Sequence, residues 1–323
     1  MNIVIFGSGQ LGTHCYHKLK KYYGTNATVS LFSHSDVDIT DKITSSHVIK
    51  KADIVINCAA FTNVDAAEHS IELNNANYNV NAIAVKNLAE ICKSLNKKFI
   101  HISTDFVYGK IKDDDFIKEL YETDICKPCN EYGKSKLEGE ISILEQLSYS
   151  NIDFIILRVA WLYGPYGKNN FIKSIFNALH NDTLKELNVV DDQFGRPTST
   201  ELVTDVIIEF INGKLDSGIY NLTNNGILVS KYELADYIRS LCKSNKKLNR
   251  LSTDDYQKLS EGIVADRQRN SNLNISKIKQ KLGISIPDWR YDIDDYVNFL
   301  IKQQNKFRLF KWVKRFMKRI LNK

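Results

Sequence analysis

Three glycines within the first twelve residues restrict the fold of this chain more than any other feature of its sequence. They follow the apolar run Ile3-Val4-Ile5-Phe6 and precede an amphipathic segment that extends to about Tyr23. A strand that turns through such glycines into a helix is typical of dinucleotide-binding sheets, because the turn is tight and the helix amides face a pyrophosphate. We therefore expect five residues of this loop to bind a dinucleotide cofactor: Gly7, Gly9, Gln10, Leu11 and Gly12.

The rest of the chain alternates short apolar runs with segments of helical periodicity. Further strands are predicted over residues 29–33, 53–57, 98–103, 152–158, 188–191 and 218–222. Helices are predicted over about 80–95, 131–147, 169–180, 201–212, 231–244 and 292–302. This alternation is typical of parallel βαβ units. It predicts an α/β fold with a Rossmann-like doubly wound parallel sheet and a smaller mixed α/β substrate-binding domain.

The domain boundaries are placed where the strict alternation weakens, just after Gly164. A chain of 323 residues is long enough for about two domains. We expect the dinucleotide-binding domain over residues 1–164, with a return of the chain to it around 189–224. The substrate-binding domain is expected over 165–188 and 225–303, and a basic amphipathic tail over 304–323.

Charge and cysteine usage restrict the classes of partner. The net charge is +6, but nine lysines and arginines follow Asp295 without any acidic residue, so the rest of the chain carries 6 − 9 = −3. A basic surface for nucleic acid is therefore not indicated. Six scattered cysteines fit reduced thiols in a cytoplasmic protein. Cys126 and Cys129 have Cys-x-x-Cys spacing but no second ligand pair, which favours a turn over a redox or metal site, and no metal is expected.

The basic tail has its own amphipathic pattern. Phe310, Val313, Met317 and Ile320 fall on one helical face, and the basic residues occupy the other. This pattern is typical of a helix that lies on an anionic membrane surface. The alternative is a helix that packs on the body of the protein or on a second subunit.

Three polar residues supply the chemistry for reducing a carbonyl group. Tyr132 and Lys136 lie four residues apart on a predicted helix, so they share a face, and the ammonium is expected to lower the phenol pKa. A phenol with its ordinary pKa of about 10 gives up its proton reluctantly near neutral pH. Thr104, at the end of a strand, supplies a hydroxyl that can polarise the same carbonyl oxygen. We predict these three residues to be catalytic.

Other strand ends point to further cofactor contacts. The second strand ends at Ser33-His34-Ser35 without a carboxylate, which favours NADPH weakly over NADH or leaves no preference. Asp65 and Glu68 are interpreted as charges at the start of a helix. Further expected cofactor contacts are the following: Asp38, Ile39, Ala59, Ala60 and Thr62.

Several longer runs give the sequence a specific resemblance. These runs are NCAAFTNVDAAE (57–68), VNAIAVKNLA (80–89), STDFVYG (103–109), YGKSKLEGE (132–140), RVAWLYG (158–164), VDDQFGRPT (190–198) and LNISKIKQKLGISIPDWR (273–290). In this order they resemble the dTDP-4-dehydrorhamnose reductase family, within the extended short-chain dehydrogenases/reductases. Three departures are a glycine loop one residue short, Phe106 in place of tyrosine, and Gln268 in place of an Arg-Pro pair.

The resemblance implies Thr104, Tyr132 and Lys136 as the catalytic set. It also implies that Asn81 supports Lys136 through water. Residues implied near a nucleotide sugar are Trp161, Asn169, Asn170, Arg196 and Pro197. From the residues alone, Trp161 is equally compatible with a core position, and Asn170 with a helix cap. Arg196 is the better candidate, because a guanidinium suits a diphosphate.

The function expected from these features is NAD(P)H-dependent reduction of the 4-keto group of a nucleotide-linked 4-keto-6-deoxy sugar. The conversion of dTDP-4-dehydrorhamnose to dTDP-rhamnose is the reaction that the resemblance implies. Two alternatives are an epimerase or dehydratase of the same superfamily and a non-catalytic nucleotide-binding regulatory subunit. We expect a cytoplasmic protein, peripheral at the inner face of the membrane if the tail binds lipid, with a homodimer as one option.

Overall fold

The computed structural model describes residues 1–110, 117–260 and 262–321, with side chains up to residue 306. The strands are β1 (Asn2–Phe6), β2 (Thr28–Phe32), β3 (Ile54–Asn57), β4 (Lys98–Thr104), β5 (Phe154–Val159), β6 (Leu162–Tyr163), β7 (Glu186–Val190), β8 (Phe194–Gly195), β9 (Thr198–Ser199), β10 (Gly218–Leu222), β11 (Val229–Ser230), β12 (Lys247–Leu251) and β13 (Asn270–Ser271). The helices are α1 (Gln10–Tyr23), α2 (Lys42–Ile49), α3 (Ala66–His69), α4 (Ile71–Tyr78), α5 (Ala84–Leu95), α6 (Glu131–Leu147), α7 (Phe171–Leu179), α8 (Thr200–Ile211), α9 (Lys231–Leu241), α10 (Thr253–Leu259), α11 (Ser276–Leu282) and α12 (Trp289–Leu321).

The central sheet has six parallel strands in the order β10-β5-β4-β3-β1-β2. Its strands begin or end within two residues of the predicted positions, and the predicted doubly wound α/β fold is confirmed. Strand order reverses between β1 and β3, and the carboxyl ends of the strands on either side of such a reversal form the ligand crevice of these folds.

Both faces of the central sheet are covered by helices. On one face Leu11 and Leu19 of α1, Val203 of α8 and Ile278 of α11 pack on apolar strand residues. On the other face α2, α5 and α6 form a second buried cluster that includes Leu88. The strands read as nearly continuous apolar runs because they are buried on both sides.

The small sheets belong to the second half of the chain. Strand β7, predicted at 188–191, pairs with β12 rather than with the central sheet, whereas α8 and β10 do join it. In the expected return segment 189–224, therefore, the part before α8 contributes to small sheets. A third buried cluster joins these sheets to α7, α9 and α12.

Helix α12 is the longest helix of the described residues. It begins at Trp289, where Asp288 accepts a hydrogen bond from the backbone of Arg290 (2.9 Å), and it continues through the tail to Leu321. Trp289, Ile293 and Val297 recur at helical spacing and are buried in the third cluster. No helix among the described residues is both long and apolar enough to cross a membrane.

Candidate active site

A cavity of about 810 Å³ opens where β1, β3, β4 and β5 end. Fourteen of the residues that the sequence assigns to a site lie in its wall: Gly7, Gly9, Gln10, Leu11, Asp38, Ile39, Ala59, Ala60, Thr62, Thr104, Tyr132, Lys136, Trp161 and Asn169. The remaining five described candidates lie outside that wall: Gly12, Asn81, Asn170, Arg196 and Pro197. The topology thus brings together residues as far apart in sequence as Gly7 and Asn169.

The glycine loop is a tight cradle at one end of the cavity. Gly7 has φ +95°, and a Cβ there would lie 2.5 Å from the Ala59 nitrogen. A Cβ on Gly12 would lie only 1.9 Å from the Gly7 carbonyl oxygen, so the start of the loop packs directly against the Gly12 backbone. A Cβ on Gly9 would meet nothing within 4 Å. No side chain caps the start of α1, so its amides face this open space and the loop fits a pyrophosphate.

The end of β2 forms the adjacent part of the wall. Asp36 accepts hydrogen bonds from the Ser33 backbone (2.8 Å) and hydroxyl (2.5 Å), which lower the pKa of this carboxyl group. Asp38 accepts from the Thr40 backbone at 2.9 Å. His34 lies in the wall and is exposed. His34 and Asp38 both line the cavity here, and His34 Nδ1 lies 3.7 Å from the Asp38 carboxylate.

The loop after β3 passes along the cavity and is held from behind by Asn81. Asn81 accepts from the Phe61 backbone (2.9 Å), and its NH₂ group lies within hydrogen-bond distance of the Phe61 carbonyl (3.0 Å), Asn77 Oδ1 and Ser135 Oγ. It lies in a π-helical turn, Asn79–Ile83, that continues into α5. Asn81 therefore positions Phe61 directly through its side-chain amide, and its expected support of Lys136 through water stays a prediction.

Tyr132 lies beside Thr104, at the end of the cavity opposite the glycine loop. Asn130 caps α6 by accepting from the Gly133 amide (2.7 Å), which fixes where Tyr132 leaves the helix. Desolvation and the Asp105 carboxylate raise the pKa of Tyr132, while a hydrogen bond with Thr104 opposes this. The expected lowering by Lys136 is therefore wrong for this structure, because burial dominates. The phenol keeps its proton, as a proton donor requires.

Lys136 is buried below Tyr132 on the same face of α6. Its Nζ donates to the Ile102 carbonyl at 2.7 Å and lies 3.0 Å from His101 Nε2. Burial lowers the pKa of Lys136 to about 8, and the charges of Glu140 and Cys58 oppose that effect. An amine with this pKa can exchange its proton near neutral pH.

A buried ion pair supports the helix that carries Tyr132 and Lys136. Glu140 of α6 accepts from Arg158 of β5 at 2.6 Å and 3.1 Å, and both side chains are almost fully buried. Ser103 also donates to this carboxylate. The same guanidinium donates to the Tyr108 hydroxyl at 2.9 Å. Helix α6 is therefore fixed to β4 and β5 directly beneath the reacting groups.

Trp161 forms the boundary between the cofactor end and the second half of the chain. It has φ +49°, a backbone conformation uncommon for a large side chain, and it lies in the cavity wall. The Lys231 ammonium lies 3.7 Å from the centre of its ring and 4.4 Å from that of Phe171. Burial lowers the pKa of Lys231 to about 7, against the attraction of Asp105. Trp161 is thus both packed and part of the wall.

The two neighbouring asparagines have different positions, one in the cavity wall and one at a helix cap. Asn169 lies in the wall, whereas Asn170 caps α7 by accepting from the Lys173 amide at 2.9 Å. The Asn170 amide also donates to Gln10 (2.7 Å) and to Tyr296 (3.0 Å). Asn170 therefore has the capping role that its sequence position also allowed, and it joins the glycine loop to α12.

Arg196 is buried in contacts with the protein itself. Its Nη2 donates to Asn272 Oδ1 (2.8 Å) and to the Leu273 carbonyl (2.7 Å). Its Nε is buried without a hydrogen-bond partner among the described residues. Burial lowers the pKa of Arg196, against the attraction of Glu119. Pro197 follows it and precedes β9. Neither residue lies in the cavity wall.

Sequence reasoning missed contacts that only the fold creates. Asp65, interpreted as a helix-start charge, pairs with Arg267 at 2.8 Å, and Glu68 accepts from the Glu131 amide at 2.7 Å. Both tie α3 to the site. Wall residues that were not predicted include the following: Val80, Ile102, Leu162, Gly167 and Lys168. Gly167 carried a usable signal, since a glycine near the Gly164-Pro-Tyr turn indicates close backbone approach.

Comparison with known proteins agrees with this geometry. The family model described as RmlD substrate binding domain matches residues 1–301. The dTDP-4-dehydrorhamnose reductase of Aggregatibacter actinomycetemcomitans is 36% identical over 269 residues, covering 79% of this chain and 85% of its own length. That of Burkholderia thailandensis is 30% identical, covering 94% and 100%.

Solved structures show the same fold. A dTDP-4-dehydrorhamnose reductase ortholog from Clostridium acetobutylicum aligns with TM-score 0.80 and 33% identity, covering 93% of this chain and 99% of that one. The dTDP-4-dehydrorhamnose reductase from Bacillus anthracis in complex with NADP aligns with TM-score 0.79 and 28% identity, covering 91% and 97%. The expected resemblance is confirmed, and the chain belongs to the RmlD substrate binding domain family.

Proposed function

We propose that this protein is an NADPH-dependent reductase of the 4-keto group of a nucleotide-linked 4-keto-6-deoxy sugar, with dTDP-4-dehydrorhamnose as substrate and dTDP-rhamnose as product. One observation carries the proposal above the others. A protonated phenol, Tyr132, and a hydroxyl, Thr104, stand together in the wall of a cavity whose other end is a glycine cradle. The named relatives support the choice of sugar.

The cradle holds the cofactor pyrophosphate through the amides at the start of α1. Asp38 and Ile39 line the adjoining wall and would hold the adenosine half, and His34 in the same wall would contact a 2′-phosphate. The bound cofactor supplies a hydride to the sugar C4. NADPH is favoured over NADH because Asp36 Oδ2 accepts from Ser33 and Asp36 lies outside the cavity wall.

Side chains of the protein supply the proton and stabilise the charge that develops. The Thr104 hydroxyl donates to Asp105 Oδ1 (3.0 Å) in the ligand-free protein; turned toward the C4 carbonyl oxygen, it stabilises the negative charge that develops there. Tyr132 gives its proton to that oxygen, so that hydride and proton together convert the ketone to an alcohol. The remaining tyrosinate is stabilised by charged Lys136, one helical turn away on the same face. Lys136 would also hold the hydroxyls of the nicotinamide ribose.

The nucleotide sugar enters between Trp161 and the second half of the chain. Trp161 and Asn169 contribute wall surface, and Lys231 adds positive charge behind the indole ring. Arg196 reaches the diphosphate if its hydrogen bonds to Asn272 and Leu273 rearrange. A guanidinium in that position binds phosphate oxygens in a bidentate way.

Turnover with dTDP-, UDP- and GDP-linked 4-keto-6-deoxy sugars tests the proposal. NADPH absorbance is expected to fall stoichiometrically with the dTDP sugar. Tyr132→Phe should lower kcat by about 10²–10⁴-fold, the usual contribution of a general acid. Tyr291→Phe, at an exposed tyrosine outside the cavity, is the matched control.

Two results would contradict this function. Product formation on tightly held NAD without net oxidation would identify an epimerase of the same superfamily. Cofactor and sugar binding without turnover by the unaltered chain would identify a regulatory subunit. Full reductase activity in the Tyr132→Phe protein would reject the assigned mechanism while leaving the reaction in place.

We further propose a cytoplasmic protein that lies peripherally on the inner face of the membrane through its C-terminal segment. The support is the sequence pattern of residues 307–323, where apolar residues fall on one helical face and cations on the other, together with the continuation of α12 into it. Vesicles with anionic lipid should sediment with the full chain but not with a chain ending at Gln304. Equal sedimentation of both would reject the proposal, and loss of a dimer in the shortened chain would assign the segment to a homodimer contact.

A further inference from the structure

One buried histidine touches the active-site lysine but takes no part in the reaction proposed above. His101 lies on β4 and is completely buried. Its two ring nitrogens have different neighbours: Nδ1 lies 3.1 Å from Asn57 Nδ2, and Nε2 lies 3.0 Å from Lys136 Nζ. The two contacts join Asn57, His101 and Lys136 into one buried chain of hydrogen bonds.

The orientation of Asn57 decides which nitrogen of His101 carries the proton. The backbone N–H of Ala59 donates to Asn57 Oδ1 at 3.1 Å, so the oxygen of this amide faces Ala59. The NH₂ group of Asn57 therefore faces His101 Nδ1. An NH₂ group only donates, so Nδ1 must accept and carries no hydrogen. The proton of the neutral ring is then on Nε2.

The same reasoning applied to the next contact decides the charge of Lys136. The Nε2–H of His101 points at Lys136 Nζ and needs an acceptor there. An ammonium group has three donors and no lone pair, whereas an uncharged amine has one lone pair and two N–H bonds. One of those N–H bonds reaches the Ile102 carbonyl at 2.7 Å. The second remains for a ligand.

We propose that Asn57 and His101 are positioning residues that set the charge of Lys136, the Nε2–H form of His101 being matched to the uncharged amine of the ligand-free protein. When Lys136 takes a proton from solvent, the ring proton must leave Nε2 and bind Nδ1, so that Nε2 accepts from the ammonium. The new Nδ1–H then faces the Asn57 NH₂ group, and their hydrogen bond is lost. Protonation of Lys136 therefore costs the free energy of the hydrogen bond between Asn57 and His101.

The other groups around Lys136 act in known directions. Burial favours the uncharged amine, and it also keeps His101 neutral by lowering its pKa well below the ordinary value. Glu140 on the same helix and Cys58 after β3 favour the ammonium. Arg158 neutralises much of the Glu140 charge through their ion pair at 2.6 Å. The hydrogen-bond chain adds to burial in lowering the proton affinity of Lys136.

Two variants of the ligand-free chain test the proposal by NMR. In Asn57→Asp the new carboxylate can still accept from Ala59, but it now accepts from His101 Nδ1–H as well, so the tautomer reverses. In His101→Gln a carbonyl oxygen can occupy the position of Nε2 and accept from the ammonium. The second variant adds no charge, so it separates the hydrogen-bond effect from the attraction of Asp at position 57.

The nitrogen shifts of ¹⁵N-histidine and the titration of labelled lysine are the measurements. At pH 9 His101 should be protonated on Nε2 in the parent and on Nδ1 in Asn57→Asp. The titration midpoint of Lys136, assigned by its absence from Lys136→Met, should rise by about one pH unit or more in both variants, a tenfold change in proton affinity. His180 is the internal control, because its Nδ1 faces the Phe176 carbonyl (2.8 Å) and must stay protonated on Nδ1 throughout.

A parent protein with His101 protonated on Nδ1 at pH 9 would overturn the proposal. So would a Lys136 midpoint that is equal in the parent and in His101→Gln. The consequence for catalysis, that Lys136 must be charged before it can stabilise the tyrosinate, rests on the proposed function. The NMR measurements use no cofactor or sugar, so their outcome is independent of whether the proposed reaction occurs.

Discussion

The two ends of the cavity differ in how far their residues are already in place. At the cofactor end, Gly9 borders open space, and the amides that begin α1 are free of side-chain caps. At the sugar end, Arg196 and Asn170 are engaged in hydrogen bonds with the protein itself. The cofactor end is therefore preorganised, whereas under the proposed function Arg196 would have to exchange partners to bind the sugar.

The difference follows from how each end is built. The cofactor end consists of single loops that follow strands of one parallel sheet, so each loop carries its geometry in a few neighbouring residues. The sugar end is assembled from segments far apart in sequence, as when Asn272 contacts both Arg196 and the Ile117 carbonyl. Preorganisation lowers the cost of binding, so the weaker affinity is expected at the sugar end.

The largest effect is expected from the buried ion pair that fixes α6, the helix that carries Tyr132 and Lys136. Glu140→Gln leaves the Arg158 guanidinium buried without a counter-charge, which costs about 3–5 kcal/mol of unfolding free energy. Urea unfolding should show this loss, and Glu138→Gln, on the exposed side of the same helix, should change it little. Equal stability of the Glu140→Gln protein would mean that the ion pair does not hold α6 in place.

Two substitutions in the glycine loop have smaller expected effects, and they separate the stability of the loop from its affinity for NADPH. Gly12→Ala places a Cβ 1.9 Å from the Gly7 carbonyl oxygen, so the loop must shift at a cost of about 1–3 kcal/mol, and NADPH affinity should fall with it. Gly9→Ala meets nothing within 4 Å and has an ordinary φ of −72°, so the ligand-free stability should stay unchanged while NADPH binding weakens. Thermal unfolding with and without NADPH measures both. Unchanged NADPH binding by Gly9→Ala would contradict a preorganised cradle.

The same contrast explains what could be predicted from the sequence. The glycine loop, Thr104 at the end of β4 and Tyr132 with Lys136 on α6 were all identified, because each depends on residues that are neighbours in sequence. The state of Tyr132 could not be predicted, since its pKa depends on burial and on Asp105. Asn81 and Arg196 were assigned by resemblance, but their partners are set by segments 20 to 77 residues away.

At the sugar end, Arg196→Lys tests whether the guanidinium exchanges its partners for substrate. Lysine can keep one hydrogen bond but cannot bind a diphosphate in a bidentate way, so KM for the nucleotide sugar should rise about tenfold, or about 1.4 kcal/mol. The Kd of NADPH should not change. A loss of unfolding free energy at constant KM would instead assign Arg196 to the frame with Asn272 and Leu273.

The smallest effect is expected on the outer face of the cofactor end, where Glu201 of α8 contacts His14 and Lys18 of α1 (2.8 and 2.5 Å). These partners hold the pKa of Glu201 near 2, below its ordinary 4.5. The depressed pKa contributes stability that is complete above about pH 4.5 and is lost as the pH falls toward 2. Because the carboxylate is more than half exposed, the contribution is below about 1 kcal/mol. Glu201→Gln should therefore lose less stability than the parent between pH 5 and pH 3, and equal losses would show that α1 and α8 are held by their apolar contacts alone.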